Sequence, residues 1–173
     1  MKFTTLETGG LFLRPPTARD LDCAMQRLNA RTCFATAPLT GAGAWRQMPT
    51  LLTHWHLQGH GLFAAVPAGT DVPMGLVGPW QPAGWPEPEI GWLVWRQAED
   101  AVDLTAEAVA AAVHHATSAL NWREAASFVC PGDARSLAVA DLTGALADPF
   151  ADRAGAIACR HPFSPLRPLP RAA

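Results

Sequence analysis

Glu89–Val109, EIGWLVWRQAEDAVDLTAEAV, is the stretch whose reading decides the fold. Glu89–Trp95 is an apolar, tryptophan-rich run that reads as a strand. The alanine-rich segment Leu104–Leu120 reads as a helix whose small side chains permit close packing on a sheet. A helix start that follows a strand presents unpaired N–H groups and a partial positive charge, which suits an anion such as pyrophosphate. Glycines at such a mouth normally let the anion approach the backbone. Here the mouth is Asp100-Ala101-Val102-Asp103-Leu104-Thr105, without a glycine. Asp103 reads as the N-cap, accepting from the N–H groups of Thr105 or Ala106. Its carboxylate also repels phosphate, by about 1 kcal/mol in water and about 4 kcal/mol at an effective dielectric of 20, for unit charges ~4 Å apart. On local physics alone the stretch is a strand followed by a self-capped structural helix.

Toward the N-terminus, Leu11–Arg14 is a short alternating strand stopped by Pro15 and Pro16. Thr17 follows as an N-cap with Asp20 three residues on, an approximate capping box for a helix from Ala18 to about Asn29. APLTGAGA reads as a loop. Trp45, Met48, Leu52 and Trp55 share a helical face over Trp45–Gln58, with Pro49 marking a start or a kink and Gly59 a stop. Leu62–Val66 and Pro73–Trp80 form a strand pair joined by a turn, and QPAGWPEP is a loop. Beyond the alanine helix, Ala125–Cys130 is a strand and Asp133 caps a helix that stops at Gly144. Ala156–Arg160 is a last strand, and 163–173 is a Pro-rich tail. The order predicts one α/β or α+β domain over 6–162, with helices on the faces of a sheet.

The totals fit this picture. A chain of 173 residues with 16% charged side chains is long enough to bury about 68–70% of its unfolded surface. A net charge of −2 gives no footprint for nucleic acid. No run of about 18 apolar residues could span a bilayer, and MKFTTLETGG lacks the apolar core of a signal peptide, so the cytoplasm is the expected compartment. The four cysteines Cys23, Cys33, Cys130 and Cys159 show no C-x-x-C pair and read as small hydrophobes. Seven tryptophans stand beside no tyrosine, which excludes any mechanism that needs a phenol.

Four blocks carry a family resemblance. LETGGLFLRPPTARDLDCAM resembles the opening of GCN5-related N-acetyltransferases (GNATs) of the ribosomal-protein N-terminal acetyltransferase, RimJ/RimL-like, type. GWPEPEIGWLVW is similar to that family's pantetheine-binding strand, TAEAV to its A-x-E-A helix, and FVCPGDARSLAVADLTGA to its P-x-N-x-x-S segment. A fifth segment, ACRHP, is similar to the final strand of many bacterial members. The resemblance implies a mixed, mostly antiparallel sheet with a splay between the family's fourth and fifth strands, flanked by about four helices. It implies acetyl-CoA as co-substrate, with the pantetheine arm on backbone groups of Leu93, Val94 and Trp95. The pyrophosphate would rest on the loop at Ala101, Val102, Asp103, Leu104 and Thr105. Aligned without a gap, the two loop glycines of the family fall at Ala101 and Asp103, which implies weakened or lost coenzyme binding.

The resemblance also implies roles for single residues. Glu89 matches the carboxylate that some members use as a base, and its alternative is a strand-edge carboxylate facing solvent. Asp133 stands at the Asn of P-x-N and Ser136 at the Ser; either could touch the coenzyme, and Ser136 could equally be a capping hydroxyl. The family's tyrosine acid falls at Ala140. Trp80, Trp85, Trp92 and Trp95 surround the acceptor side, as core packing or, for Trp80, Trp85 and Trp92, as an aromatic substrate pocket. His54, His56 and His60 lie close together without a nearby carboxylate or cysteine, so no metal is expected. His114 and His115 point apart on the alanine helix. The expected activity is acetyl transfer to a small amine or a protein N-terminus, without nucleic acid or membrane partners and with a homodimer left open. The alternative is a non-catalytic module that keeps the fold to bind a ligand or protein. A third reading is an acyl donor lacking pyrophosphate.

Overall fold

The computed structural model describes residues 4–27, 34–36, 42–153 and 155–163, the side chains of 27, 34, 42–48 and 152 excepted. In chain order the elements are β1 (Leu6–Glu7), β2 (Leu11–Arg14), α1 (Ala18–Arg27), β3 (Phe34–Ala35) and α2 (Ala42–Gln58). Then come β4 (Phe63–Pro67), β5 (Gly75–Trp80), β6 (Glu89–Val94), α3 (Ala101–Ser118), β7 (Ala126–Val129), α4 (Ala134–Leu142), β8 (Leu146–Arg153) and β9 (Ala156–Arg160). The sheet runs β1-β2-β4-β5-β6-β7-β9-β8, with β3 pairing onto β6 off that path. Among the described residues only β6 and β7 run parallel; the other strand pairings are antiparallel.

Strand β6 shows why the sheet needs helices on both faces. Ile90, Trp92 and Val94 belong to one core cluster with the buried alanines of α3, Ala108, Ala112 and Ala116. Leu93 and Trp95 belong to a second cluster with Leu21 and Ala24 of α1 and Leu51 of α2. Alternating side chains therefore enter opposite layers, and an all-apolar strand results. The α1 start is built as its sequence specifies. Thr17 N–H donates to Asp20 Oδ2 at 2.7 Å, and Arg14 forks onto both Asp20 oxygens at 2.7 and 3.0 Å. The β1–β2 hairpin is pinned to α3 by Glu107, whose Oε1 accepts from Gly10 N–H at 2.8 Å.

Several boundaries differ from the sequence reading. Helix α2 begins at Ala42, inside the presumed loop, and continues through Pro49. The side chains of Trp45 and Met48, residues 28–29, Cys33 and the tail 164–173 lie outside the described residues. Gly59 (φ +74°) follows the end of α2 and Gly144 (φ +70°) the end of α4, the left-handed stops that glycine tolerates. Strands β1, β3 and β8 were not expected. The segment of β8, LADPFADR, lacks alternation and contains Pro149; it lies at the sheet edge, where a proline leaves no interior ladder bond unmade.

Candidate active site

The centre of the sheet opens where β6 and β7 part. Their parallel ladder consists of one register pair, Glu89 with Ala126. One residue further, Ser127 Oγ–H donates to Ile90 O at 2.6 Å, so a side chain replaces the backbone donor. With its one proton committed there, the Ser127 hydroxyl accepts from His161 Nε2–H at 2.7 Å. His161 Nδ1 is then the bare ring nitrogen, buried and without a partner among the described residues. Burial pushes His161 down to about 4, so the ring is neutral at physiological pH.

Glu89 sits at the mouth of this opening and is 2% exposed, which overturns the solvent-facing alternative. Its Oε1 accepts from Trp85 Nε1–H and from Arg153 Nη1–H. Arg153 arrives from β8, its guanidinium 4.0 Å from the Phe128 ring centroid and 5.0 Å from that of Trp85. A second tier of charge lies behind: Arg160 bonds Glu87 and reaches Asp148 at 3.2 Å. Burial pushes the Glu89 carboxyl up to about 7, against the Arg153 charge and the two hydrogen bonds, with Glu87 adding to the rise. Desolvation thus outweighs a paired cation, and the carboxyl is poised at neutral pH. Arg153 was missed from sequence because β8, which places it, carried no strand signal, and Glu87 and Arg160 because their pairing joins a loop to a strand distant in sequence.

The remaining expected residues fall as follows. Leu93 and Val94 are paired on both sides, with Leu76 and Gly75 of β5 and with Ala35 and Phe34 of β3. Trp95 N–H faces away from the opening and donates to Met74 O at 3.0 Å. Thr36 continues β3 into the gap: its N–H donates to Trp92 O at 3.0 Å, its Oγ1 accepts from Trp92 N–H at 3.1 Å, and it bridges to Val129 of β7. Ser136 is fully buried, accepting from Trp92 Nε1–H at 2.9 Å and donating to Asp133 Oδ2 at 2.8 Å. Asp133 caps α4 through Ser136 N–H, and its Oδ2 also accepts from Ala35 N–H at 3.3 Å. Asp133 is therefore the cap of α4, and the Ser136 hydroxyl links it to Trp92 without capping a helix N–H itself.

Two readings need correction. Asp103 is not the N-cap of α3: the helix begins at Ala101 with Asp100 at the cap, whose side chain makes no capping bond and instead pairs with Arg96 at 2.8 Å. Asp103 stands within the first turn, with Ala101, Val102, Leu104 and Thr105 all helical, and Thr105 Oγ1–H donates to Ala101 O at 2.6 Å. The three extra residues form because Ala98 O receives Ala101 N–H, a turn that starts the helix without a side-chain cap. The self-capped mouth is thus absent. The tryptophans are the second correction. Trp80 and Trp92 are 1% and 0% exposed, held in the core by their area, and only Trp85 of the expected aromatic pocket reaches the opening. Ala140 is buried against α3 and presents no acid. No group of three or more metal-ligating side chains occurs among the described residues.

The chain is thus an α/β protein whose mostly antiparallel sheet parts at one parallel junction among the described residues. The Acetyltransferase (GNAT) domain model matches residues 10–145, and the chain belongs to that family. The crystal structure of an acetyltransferase from Agrobacterium tumefaciens str. C58 is similar over 93% of this chain and 95% of its own, at 28% identity and a TM-score of 0.77. A candidate GnaT-family acetyltransferase from Bordetella pertussis covers 91% and 97%, at 22% identity and a TM-score of 0.65, and shows the fold alone. No curated protein matches the chain. Acetyl-CoA is the donor the family uses. With Phe34–Thr36 paired along β6, the backbone edge that would receive its pantetheine arm is taken by the chain itself, so the edge as it stands does not fit that arm.

Proposed function

We propose that the chain is an N-acetyltransferase of RimJ/RimL-like type, moving an acetyl group to a small amine or a protein N-terminus, with Glu89 as the base. The observation that carries this reading is a buried carboxyl near pH 7 at the mouth of the β6–β7 opening. An amine arrives as ammonium and must lose a proton before its lone pair can attack. A carboxylate of ordinary pKa is a weak base for that task, whereas one near 7 is matched to it. Trp85 and Arg153 both converge on Oε1 and hold the carboxyl in place, so Oε2 is the oxygen we assign to the proton. Trp85, half-buried under Arg153, is the aromatic surface we assign to the acceptor.

The test is thiol release from acetyl-CoA with a panel of peptide N-termini and small polyamines, comparing the protein with Glu89→Gln. Release with at least one amine, slowed by roughly 10²–10⁴-fold in the variant, is the expected result. Silence across the panel, or a variant as fast as its parent, refutes the reading.

A further inference from the structure

We propose that Phe34–Thr36 is an internal strap, a strand that occupies the β6 edge in place of the acyl donor's amide-bearing arm and must leave before that arm can bind. The proposal rests on the reading above that acetyl-CoA is the donor.

The strap is clasped on three sides. Along β6 it pairs in register, Phe34 with Val94 and Ala35 with Leu93. Thr36 then satisfies Trp92 twice over: its N–H donates to Trp92 O, and its hydroxyl accepts from Trp92 N–H. On the far side of the gap Thr36 bridges to Val129 of β7. From α4, Asp133 accepts from Ala35 N–H, and Asp133 is itself held by Ser136, which is held by Trp92. Ala35 and Thr36 are 3% and 2% exposed, so the strap is packed into the sheet and does not merely lie over it.

A buried strand edge must have its N–H and C=O groups paired, because each orphan carries a desolvation cost. Where β7 turns away after Ala126, the edge of β6 that faces the gap has three partners in turn: the Ser127 hydroxyl for Ile90, Thr36 for Trp92, and Phe34 of β3 for Val94. A pantetheine arm, with its two amides, offers the same donors and acceptors to the same edge. The strap and the arm therefore compete, and coenzyme affinity is reduced by the fraction of molecules in which the strap is open. Asp133 and Ser136 take part as the catch of the strap.

The experiment uses desulfo-CoA, which binds without turning over. Calorimetry gives its affinity for the protein, for Thr36→Ala and for Ala35→Pro, which removes the N–H that Asp133 holds. Hydrogen exchange read by mass spectrometry follows residues 34–36 and 92–94 with and without the ligand. The strap predicts binding about tenfold tighter in Thr36→Ala, from the loss of one or two hydrogen bonds. It also predicts that the ligand strips protection from 35–36 while 92–94 stay protected. Equal affinity in all three proteins, with 35–36 protected throughout, overturns the strap and leaves the acetyltransferase reading intact. Failure of all three to bind desulfo-CoA overturns that reading, and the strap with it.

Discussion

At the scale of single residues, the Glu89–Arg153 pair sets the pH at which the site works. Burial lifts Glu89 to about 7 and Arg153 is the largest opposing influence. If Glu89 is the base, activity rises with pH along a limb centred near 7, because only the ionised carboxyl accepts a proton. Replacing Arg153 by Gln removes the cation and leaves the burial, so the limb shifts upward by about one pH unit or more. A pH–rate profile of Arg153→Gln that overlays the parent's would show that Arg153 does not tune this carboxyl. A merely structural role for Arg153 would lower the rate or the melting temperature at every pH without moving the limb. The family resemblance pointed to Glu89, at the head of an apolar strand. The sequence could not supply the partner, because Arg153 lies 64 positions away on a strand with no apolar alternation. Pairing of a buried charge is a property of the closed sheet, not of any local window.

The elements show where local pattern sufficed and where it failed. Strand β2, helix α1, the alanine helix and the Asp133-capped helix follow from capping residues and periodicity, and each lies within a few residues of its expected place. The start of α3 shifted because Ala101–Asp103 is helix-compatible and needs no side-chain cap, so the strongest capping residue type did not mark the boundary. Strand β3 was illegible for a different reason: two residues become a strand only because β6 has an unpaired edge to satisfy. Glu107 is a similar case, a helix residue whose function is to hold a hairpin 97 positions away. Glu107→Ala leaves Gly10 N–H without its charged acceptor, and stability falls by about 1.5–3 kcal/mol. Gly10→Ala costs less, because its added Cβ would meet only the movable ends of two side chains, 2.9 Å from Leu104 Cδ2 and 3.0 Å from Glu107 Oε2. Urea unfolding of the two variants and of the double variant checks this. Because the sites touch, the two losses should not add, and full additivity would disprove the shared contact.

Across the whole molecule, buried titrating groups pull stability in opposite directions with pH. His60 and His161 are both pushed down to about 4 by burial, His60 also by the neighbouring His54. Each is neutral when folded and takes up a proton near 6.5 when unfolded. Their shared contribution is therefore whole above pH 6.5 and drains away as pH falls toward 4, and His115, also lowered by burial, acts in the same sense. Glu89 does the reverse. Its carboxyl keeps a proton in the fold up to about 7 but loses it near 4.5 when unfolded, so its contribution is whole below 4.5 and is lost as pH rises to 7. Between 4.5 and 6.5 the unfolded chain holds the two histidine protons and the folded chain the one on Glu89. One net proton from these three groups leaves a slope of about 1.4 kcal/mol per pH unit, stability rising with pH; screening at half-buried His60 reduces it and His115 adds to it. Above 6.5 Glu89 alone of these groups still titrates in the fold, and stability turns slightly downward. The maximum accordingly falls near pH 6.5. Glu89→Gln deletes the opposing group, so the rise from 4.5 to 6.5 steepens and the downturn above it vanishes. Urea unfolding at half-unit pH steps measures both curves, and a variant whose slope matches the parent's would mean that Glu89 is already ionised in the fold at pH 5.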